Sequence, residues 1–463
     1  MAVDVVVVGA GPGGIACAIS AAEGGARVLL LDKAGDIGGA LPYSGGHLSA
    51  GGFSAQRAAG IIDDVEAHWA DVRRISRGAG REDLTLLSLR EQPAVLEWLL
   101  AAGFEIDPAT PRIVHGHEQY RIPRTVHAGQ TPGGPAVLAV LRRLLEPQVA
   151  GGAVTVECGV RLLFTGEAVT GVEDTTGRRW HAPAVVLATG GFGYDPELFA
   201  ELEGAPLTTS AAPTSTGDGL RMGLAAGAGL QGLGKYIPTF GGLPPEGDDL
   251  RVDWSHRPQL VAPERPPWEI YVDRSGARWV AEDEPSIDRK ERALTGIDRM
   301  TFWMVFDARG ARESQPMVHG WSPEDLDAAC GKRRGVHRAA SLRELASVAG
   351  IDPAGLPASV ARYNDFVARG VDSDFGRAHL PAPVARAPYY AIENHPVTLI
   401  TFTGLDVDTA LRVRRRDGTV IEGLYAVGEV IGAAAVNGNA FCSGMCLTPA
   451  LAFGRILGRA LSD

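Results

Sequence analysis

The chain has 463 residues, enough for two or three domains around a large core, and its 45% hydrophobic and 21% charged residues are ordinary for a globular protein. The net charge is −11 and no basic stripe occurs, so a nucleic-acid partner is not expected. Its 5 cysteines are scattered and form no CxxC pair, which argues against a disulfide framework and a metal site.

The N-terminal residues predict a compact βαβ unit. Residues 3–8 are a continuous apolar run, typical of a parallel strand buried on both faces. A glycine turn follows at 9–14, and residues 15–23, rich in small side chains, predict a helix. Residues 27–31 predict a second strand that ends at Asp32.

The rest of the chain changes in composition twice. Helices are predicted at 83–102 and 135–145, and strands at 154–172 and 184–188. From about 235 to 395, Pro, Trp and charged residues increase, and helical stretches occur at 323–329 and 341–349. A buried-strand pattern returns at 424–430, before a last helix at 449–461. The sequence pattern typical of a nucleotide-binding domain is therefore interrupted by an insertion, and the C-terminal residues complete that domain.

No basic leader segment opens the chain, and no apolar run reaches the ~18 residues of a membrane helix without a charge or a glycine. We therefore expect a cytoplasmic protein with neither a signal peptide nor a membrane span.

The glycine turn has the spacing GxGxxG in its full context of strand, helix and second strand. Gly9 allows the tight turn, Gly11 lets the backbone approach a pyrophosphate, and Gly14 lets helix and strand pack closely. The helix N-terminus offers free N–H groups to phosphates, and Asp32 is placed to accept from ribose hydroxyls. The pattern predicts a dinucleotide site without distinguishing NAD from FAD.

Together with this turn, five later motifs resemble, in order, the flavoprotein family of fumarate reductases, succinate dehydrogenases and 3-ketosteroid dehydrogenases. Each motif alone is weak, whereas their order along nearly the whole chain is specific. The later motifs are residues 38–39 with 44–46, 188–192, 216–219, 276–282, and 417–418 with 423–429.

The resemblance implies an α/β fold in which a Rossmann-like FAD-binding domain with a central parallel sheet is interrupted by an inserted α+β capping domain. We expect the FAD domain at 1–237 and 399–463 and the capping domain at 238–398, with the active site between them. The expected cofactor is FAD. The predicted cofactor-binding residues are Gly9, Gly11, Pro12, Gly13, Gly14, Asp32, Lys33, Gly38, Gly39, Ser44, Gly45, Gly46, Val160, Ala188, Thr189, Gly190, Asp218, Gly428, Glu429, Gly444, Cys446 and Leu447.

The resemblance also assigns contacts along the cofactor. Glu429 is expected to bind a ribityl hydroxyl, and the backbone of Val160 is expected to meet the adenine. The last helix should begin with Thr448 as N-cap and Pro449 as first residue. Its positive end would then face the flavin pyrimidine ring, unless it is an ordinary surface helix.

Several positions depart from the family pattern. Gly39 stands where succinate dehydrogenases carry the flavin-linking histidine, so we expect non-covalent FAD. Fumarate reductases clamp a dicarboxylate with two arginines and a histidine, and the matching positions here are Ser286, Phe441 and Ile400. A buried dianion without these groups would be unpaired, so we expect neither fumarate nor succinate as substrate.

The C-terminal segment 444–454 resembles the ketosteroid dehydrogenases, in which a backbone N–H at the position of Gly444 polarises the substrate ketone. Their tyrosines are absent here, so the acid and base must come from other residues. For each candidate, the alternative to a catalytic role is a structural one. The residue would then lie in a loop where its polar atoms bond to the backbone, or on a solvated charged face. The predicted catalytic residues are Tyr120, His127, Arg124, Arg289, Gly444 and His47.

These features predict an FAD-dependent enzyme that moves a hydride between flavin N5 and a carbon–carbon bond beside a carbonyl. The expected substrate is a small, neutral, largely apolar compound such as a cyclic ketone, and the electron donor or acceptor is not identified. Three alternatives stay open: a flavin oxidase of an alcohol or amine, a dicarboxylate reductase with an anion clamp rebuilt from Arg124 and Arg289, and a non-catalytic FAD-binding protein.

Overall fold

A computed structural model describes residues 3–114, 116–129, 133–157, 162–163, 169–245, 247–248 and 250–462. The chain forms two compact units. Unit 1 comprises Met1–Gly204, Ala211–Tyr236 and Ile400–Asp463, and unit 2 comprises Ala205–Ser210 and Ile237–Leu399. Within the described ranges, no helix combines the length and the apolar character needed to cross a membrane.

The chain contains both strands and helices in each unit. The strands are β1 (Val5–Val8), β2 (Val28–Leu31), β3 (Leu48–Ser49), β4 (Thr125–Val126), β5 (Val154–Glu157), β6 (Leu162–Leu163), β7 (Gly171–Asp174), β8 (Arg179–His181), β9 (Ala184–Leu187), β10 (Leu230–Gln231), β11 (Thr239–Gly242), β12 (Ile270–Val272), β13 (Phe302–Asp307), β14 (Val336–Ala339), β15 (Tyr389–Val397), β16 (Gly404–Leu405), β17 (Arg412–Arg414) and β18 (Val420–Ala426). The helices are α1 (Pro12–Glu23), α2 (Ser54–Ala58), α3 (Val65–Ile75), α4 (Glu82–Ala101), α5 (Gly133–Ala150), α6 (Pro196–Glu203), α7 (Asp218–Ala225), α8 (Ile287–Leu294), α9 (Ala308–Glu313), α10 (Pro323–Ala329), α11 (Leu342–Ala349), α12 (Gly355–Arg369), α13 (Ala434–Asn437) and α14 (Leu447–Ala460).

Unit 1 is built on a six-stranded sheet of order β17-β18-β9-β1-β2-β5. All neighbours pair in parallel except β17 with β18. Every residue of β1, β2 and β9 is buried, as expected for the central strands of a parallel sheet. The predicted α/β class with a central parallel sheet is therefore confirmed.

Helices α1 and α14 approach closely through small residues. A Cβ on Gly454 would lie 2.3 Å from the carbonyl oxygen of Gly13, and one on Gly458 would lie 2.4 Å from that of Cys17. Glycine at these positions lets the two backbones touch. This packing brings the N-terminal turns of two helices to the same part of unit 1.

Unit 2 is an α+β unit around a five-stranded sheet of order β11-β15-β13-β12, with β14 also paired to β15. All of these pairs are antiparallel. The apolar core joins this sheet to α11 and α12. Its large buried members include Ile270, Trp303, Val305, Leu345, Leu356, Val360 and Tyr363.

Candidate active site

The turn between β1 and α1 depends on its glycines for two different reasons. Gly9 has φ +102°, and a Cβ there would lie 2.4 Å from the oxygen of Ala188. A Cβ on Gly14 would lie 1.9 Å from the oxygen of Gly9. Gly11 has φ −78°, and a Cβ there would meet only the Ala188 oxygen at 3.9 Å. The fold itself therefore requires glycine at positions 9 and 14, whereas the space that a Cβ on Gly11 would occupy is free of protein atoms in close contact.

The same turn presents unused donors and one acid. No acceptor among the described residues takes the N–H groups of Gly13 and Gly14 in the first turn of α1. Asp32 accepts from Ala10 N at 2.6 Å and from Ala34 N at 2.8 Å. The turn is thus shaped to receive an anion, and Asp32 keeps lone pairs for a ribose hydroxyl beside it.

The second glycine segment lies beside this turn. Gly38 N donates to Ala10 O at 2.8 Å, and a Cβ on Gly39, which has φ +55°, would lie 2.9 Å from the Cα of Gly11. Ser44 Oγ accepts from Gly46 N at 3.1 Å. The neighbouring glycines, Gly45 and Gly46, contact the first residues of α5. A histidine side chain at position 39 would collide with the anion-binding turn.

The end of β9 carries a polar group that has no protein partner. Thr189 Oγ1 is buried, and no described residue hydrogen-bonds to it. The next residue, Gly190, has φ +75° and a Cβ direction that is almost open. Nearby, Lys33 Nζ donates to Thr216 Oγ1 and forms an ion pair with Asp218 at 2.7 Å. A buried hydroxyl of this kind fits a bound polar ligand such as FAD.

The carboxyl group of Glu429 is held through one of its two oxygens. Its Oε1 accepts from Thr401 N at 2.8 Å and from Thr401 Oγ1 at 3.0 Å, and burial raises the pKa of Glu429. A Cβ on Gly191 would lie 2.3 Å from this Oε1. The ribityl contact stays a prediction, with Oε2 as the oxygen left for it. The predicted adenine contact, Val160, lies outside the described residues.

The start of the last helix differs from the prediction. Helix α14 begins at Leu447 with Cys446 as N-cap, so Thr448 is not the cap. The Thr448 hydroxyl instead accepts from Ser49 N in β3 at 2.9 Å. Because the helix begins at Leu447, Pro449 is its third residue. Where the structure describes the chain, no acceptor takes the N–H groups of Cys446 and Leu447, and the positive helix end stays open.

The loop before α14 is fastened by buried polar groups. Asn437 Nδ2 donates to Met445 O at 2.8 Å, and its Oδ1 accepts from Cys442 N at 3.3 Å. A Cβ on Gly444, which has φ +76°, would lie 2.6 Å from Ser49 N. Asn437 was not predicted from the sequence, because nothing in its local pattern separates it from an ordinary turn residue.

Two of the candidate histidines are in contact. Strands β3 and β4 are antiparallel with Leu48 opposite Val126, so His47 and His127 face each other, and their ring centroids are 4.2 Å apart. Burial and the charges of His127, His117 and Arg112 lower the pKa of His47 to about 3. Burial and Arg112 also lower the pKa of His127, whose buried Nε2 has no partner among the described residues.

Tyr120 and Arg124 have structural surroundings that argue against the predicted direct catalytic roles. The fully buried Arg124 guanidinium bonds to Asp63 at 2.9 Å and to Asp71 at 2.7 Å. The Tyr120 hydroxyl donates to Ser443 O at 2.7 Å, and burial raises its pKa. Arg124 is therefore committed to an internal ion-pair cluster and cannot clamp a substrate anion, and Tyr120 supports the loop that carries Gly444.

Arg289 belongs to unit 2, where it lies on the outer side of α8. Its side chain is 71% exposed and pairs with Glu284 at 3.3 Å, which favours the solvated-face alternative. Ser286 is the N-cap of α8 and accepts from Arg289 N at 3.2 Å. Among the described residues, no cluster of three metal-binding side chains is formed.

The parallel sheet, the glycine turn and the open donors define an α/β protein that binds a dinucleotide cofactor. Residues 4–447 match the FAD binding domain family, to which the chain belongs. It is 29% identical to the probable fumarate reductase Ifc3 of Shewanella frigidimarina, over 98% of this chain and 74% of that protein. It is 28% identical to 4-oxocyclohexanecarboxylate 2-dehydrogenase of Sinomonas cyclohexanicum, over 99% of this chain and 92% of that protein.

Among solved structures, 3-ketosteroid Δ1-dehydrogenase from Sterolibacterium denitrificans shares the fold with a TM-score of 0.79 at 22% identity, covering 100% of this chain and 99% of that one. The predicted family, cofactor and enzyme class are confirmed. The chain is an FAD-dependent oxidoreductase of the dehydrogenase and reductase class that acts on carbon–carbon bonds.

Proposed function

We propose that this enzyme dehydrogenates, or in reverse reduces, the Cα–Cβ bond beside the carbonyl group of a small and largely apolar substrate such as a cyclic ketone. The observation that carries this proposal is the contact between His47 and His127, next to the strand that packs against Gly444. A base and a backbone donor at one place suit removal of a proton from a carbon made acidic by a neighbouring carbonyl.

The glycine turn at 9–14 and the loop before α14 would hold FAD, which would supply an acceptor for a hydride from Cβ, or a hydride donor in the reverse direction. The N–H of Gly444 donates to the substrate carbonyl and stabilises the negative charge that develops there. His127 takes the proton from Cα, so that the substrate loses one proton and one hydride and gains a double bond. Its lowered pKa keeps the imidazole neutral, as a base requires, and His47 holds its orientation.

The apolar surroundings support a ketone over a dicarboxylate. Phe441 is buried, stacks on His117 with ring centroids 5.3 Å apart, and meets Phe402 edge to face at 5.5 Å. An unpaired second carboxylate here would pay a large desolvation cost. The similar dehydrogenases of 4-oxocyclohexanecarboxylate and of 3-ketosteroids, both named for ring ketones, agree with this choice.

The electron partner is proposed to be a separate carrier, because the sequence has a single dinucleotide turn at 9–14. We further propose that the enzyme works in the cytoplasm. An oxidase would instead pass the electrons to oxygen. Reduced enzyme that stays reduced in air, and releases no peroxide, would support the separate carrier.

The test compares turnover of cyclic enones, saturated cyclic ketones, fumarate and succinate with an artificial electron carrier. We expect turnover of ring ketones alone, and a fall of about 100-fold or more in His127→Gln with flavin content unchanged. The exposed His181→Gln is the matched control. Efficient fumarate turnover, or full activity of His127→Gln, would overturn the proposal.

A further inference from the structure

Strands β3 and β4, together with an isolated bridge at Arg112, place this arginine beside the two contacting histidines. Arg112 N donates to Thr125 O at 3.0 Å, and Thr125 N donates back to Arg112 O at 3.3 Å. Thr125 is in turn opposite Ser49 in the β3–β4 pair. Arg112, Thr125 and Ser49 are therefore neighbours across three antiparallel segments.

Side chains alternate between the faces of a sheet, and directly paired residues share a face. Ser49, Thr125 and Arg112 therefore point to the same side, and His47 and His127, two residues along each strand, join them. The contact between Thr125 Oγ1 and Ser443 Oγ at 3.1 Å shows that this side faces the loop of Gly444.

The charge on this face comes from Arg112. Its side chain is exposed, and within the described ranges no carboxylate forms an ion pair with its guanidinium. The Asp107 carboxylate, whose charge also acts on His127, accepts from Ala109 N at 2.9 Å. The lowered pKa values keep His47 and His127 neutral near pH 7, so the two histidines add no positive charge beside Arg112.

We propose that Arg112, with His47 beside it, forms a carboxylate-binding site, and that the substrate is a monoanion: a ring ketone that bears one carboxylate. The proposal rests on the proposed function and narrows its substrate class. One guanidinium matches one carboxylate, whereas the wall of Phe441 and His117 offers no cation for a second. Arg112 was not predicted from the sequence, because only the strand register brings it to the histidines.

The experiment uses the FAD-loaded enzyme and two non-reacting ring probes of equal shape, benzoate and benzamide. Binding is measured by the change in flavin absorbance and by calorimetry, at low and high salt. We expect benzoate to bind more tightly than benzamide in the unchanged protein. Arg112→Gln should weaken benzoate binding about 10- to 100-fold and leave benzamide binding unchanged.

Arg121→Gln is the control, since this arginine is 72% exposed in the same segment. Histidine titration by NMR gives an independent measurement: loss of the Arg112 charge should raise the pKa of His127, and Arg121→Gln should not. Equal benzoate affinity in Arg112→Gln, or no preference for benzoate in the unchanged protein, would overturn the proposal.

Turnover separates this inference from the proposed function. If benzoate binding depends on Arg112 but no ring ketone is turned over, the carboxylate site stands and the proposed reaction fails. If neutral and carboxylated ring ketones are turned over with equal KM, and Arg112→Gln changes neither value, the proposed reaction stands and the carboxylate site fails.

Discussion

At the scale of single residues, glycines of the first turn meet different demands. Gly9 and Gly14 are required by contacts within the protein, where a Cβ would overlap backbone atoms at 2.4 and 1.9 Å. Gly11 has an ordinary φ of −78° and an open side, so its lack of a side chain serves the ligand. Substitution at Gly11 should therefore separate folding from cofactor binding.

We predict that Gly11→Val folds with near-normal stability and loses FAD, because the branched side chain would occupy the space of the pyrophosphate. Flavin absorbance after purification and circular dichroism measure the two effects. Gly35→Ala, at an exposed position with no atom within 4 Å of the added Cβ, should keep its flavin. A folded Gly11→Val with full flavin content would contradict the assignment of this turn.

The buried side chain of His68 should make the stability of the protein depend on pH. It is fully buried, neither ring nitrogen has a partner among the described residues, and burial and Arg124 hold its pKa well below 6.5. The folded protein binds this proton less readily than the unfolded chain, so the neutral histidine supports stability above pH 6.5. That support is lost as the pH falls, by about 1.4 kcal/mol for each unit below 6.5.

His68→Phe should therefore lose less stability than the unchanged protein when the pH falls from 8 to 5.5, by about 1.4 kcal/mol. Denaturant unfolding at the two pH values measures the difference, and exposed His181→Phe is the control. If the unchanged protein and His68→Phe lost the same free energy of unfolding between these pH values, His68 would not be the source of this pH dependence.

At the scale of elements, the packing of α1 on α14 aligns two helix N-termini within one site. Each N-terminus presents N–H groups without acceptors among the described residues. The closeness depends on Gly454 and Gly458, which lie against the backbone of α1. A larger side chain there would push the helices apart and displace both N-termini.

Gly458→Leu should lower the free energy of unfolding by about 2 kcal/mol or more, because its Cβ would lie 2.4 Å from Cys17 O, a backbone atom that cannot move alone. FAD affinity should fall with it. Ala460→Leu, exposed near the end of the same helix, is the control. Equal unfolding midpoints for the two variants would show that the helices tolerate separation.

At the scale of the whole molecule, one chain builds a parallel-sheet unit from three segments and an antiparallel unit from the residues between them. The cofactor groups described above all belong to unit 1. FAD is expected to be non-covalent, since a side chain on Gly39 would lie 2.9 Å from the Cα of Gly11. Flavin binding should then stabilise the folded chain by mass action.

Acid or heat should release all the flavin from the purified protein, leaving none on the precipitated chain. Added FAD at 100 times its Kd should stabilise the apoprotein by about 2.7 kcal/mol, seen as a higher unfolding midpoint. Flavin that stays with the denatured chain would contradict the non-covalent assignment.

The sequence by itself determined the features that depend on near neighbours. The glycine turn, the buried strands and the FAD family follow from residue types at short spacing, because turn sterics and helix periodicity act locally. The same holds for six helices: α1, α4, α5, α10, α11 and α14. The tertiary structure decided which distant residues meet. The Thr448 hydroxyl bonds to β3 and does not cap its helix, and Arg124 forms an internal ion pair. The strand register places Arg112 beside His47 and His127. These outcomes depend on pairing between segments up to about 400 positions apart, which no local pattern encodes.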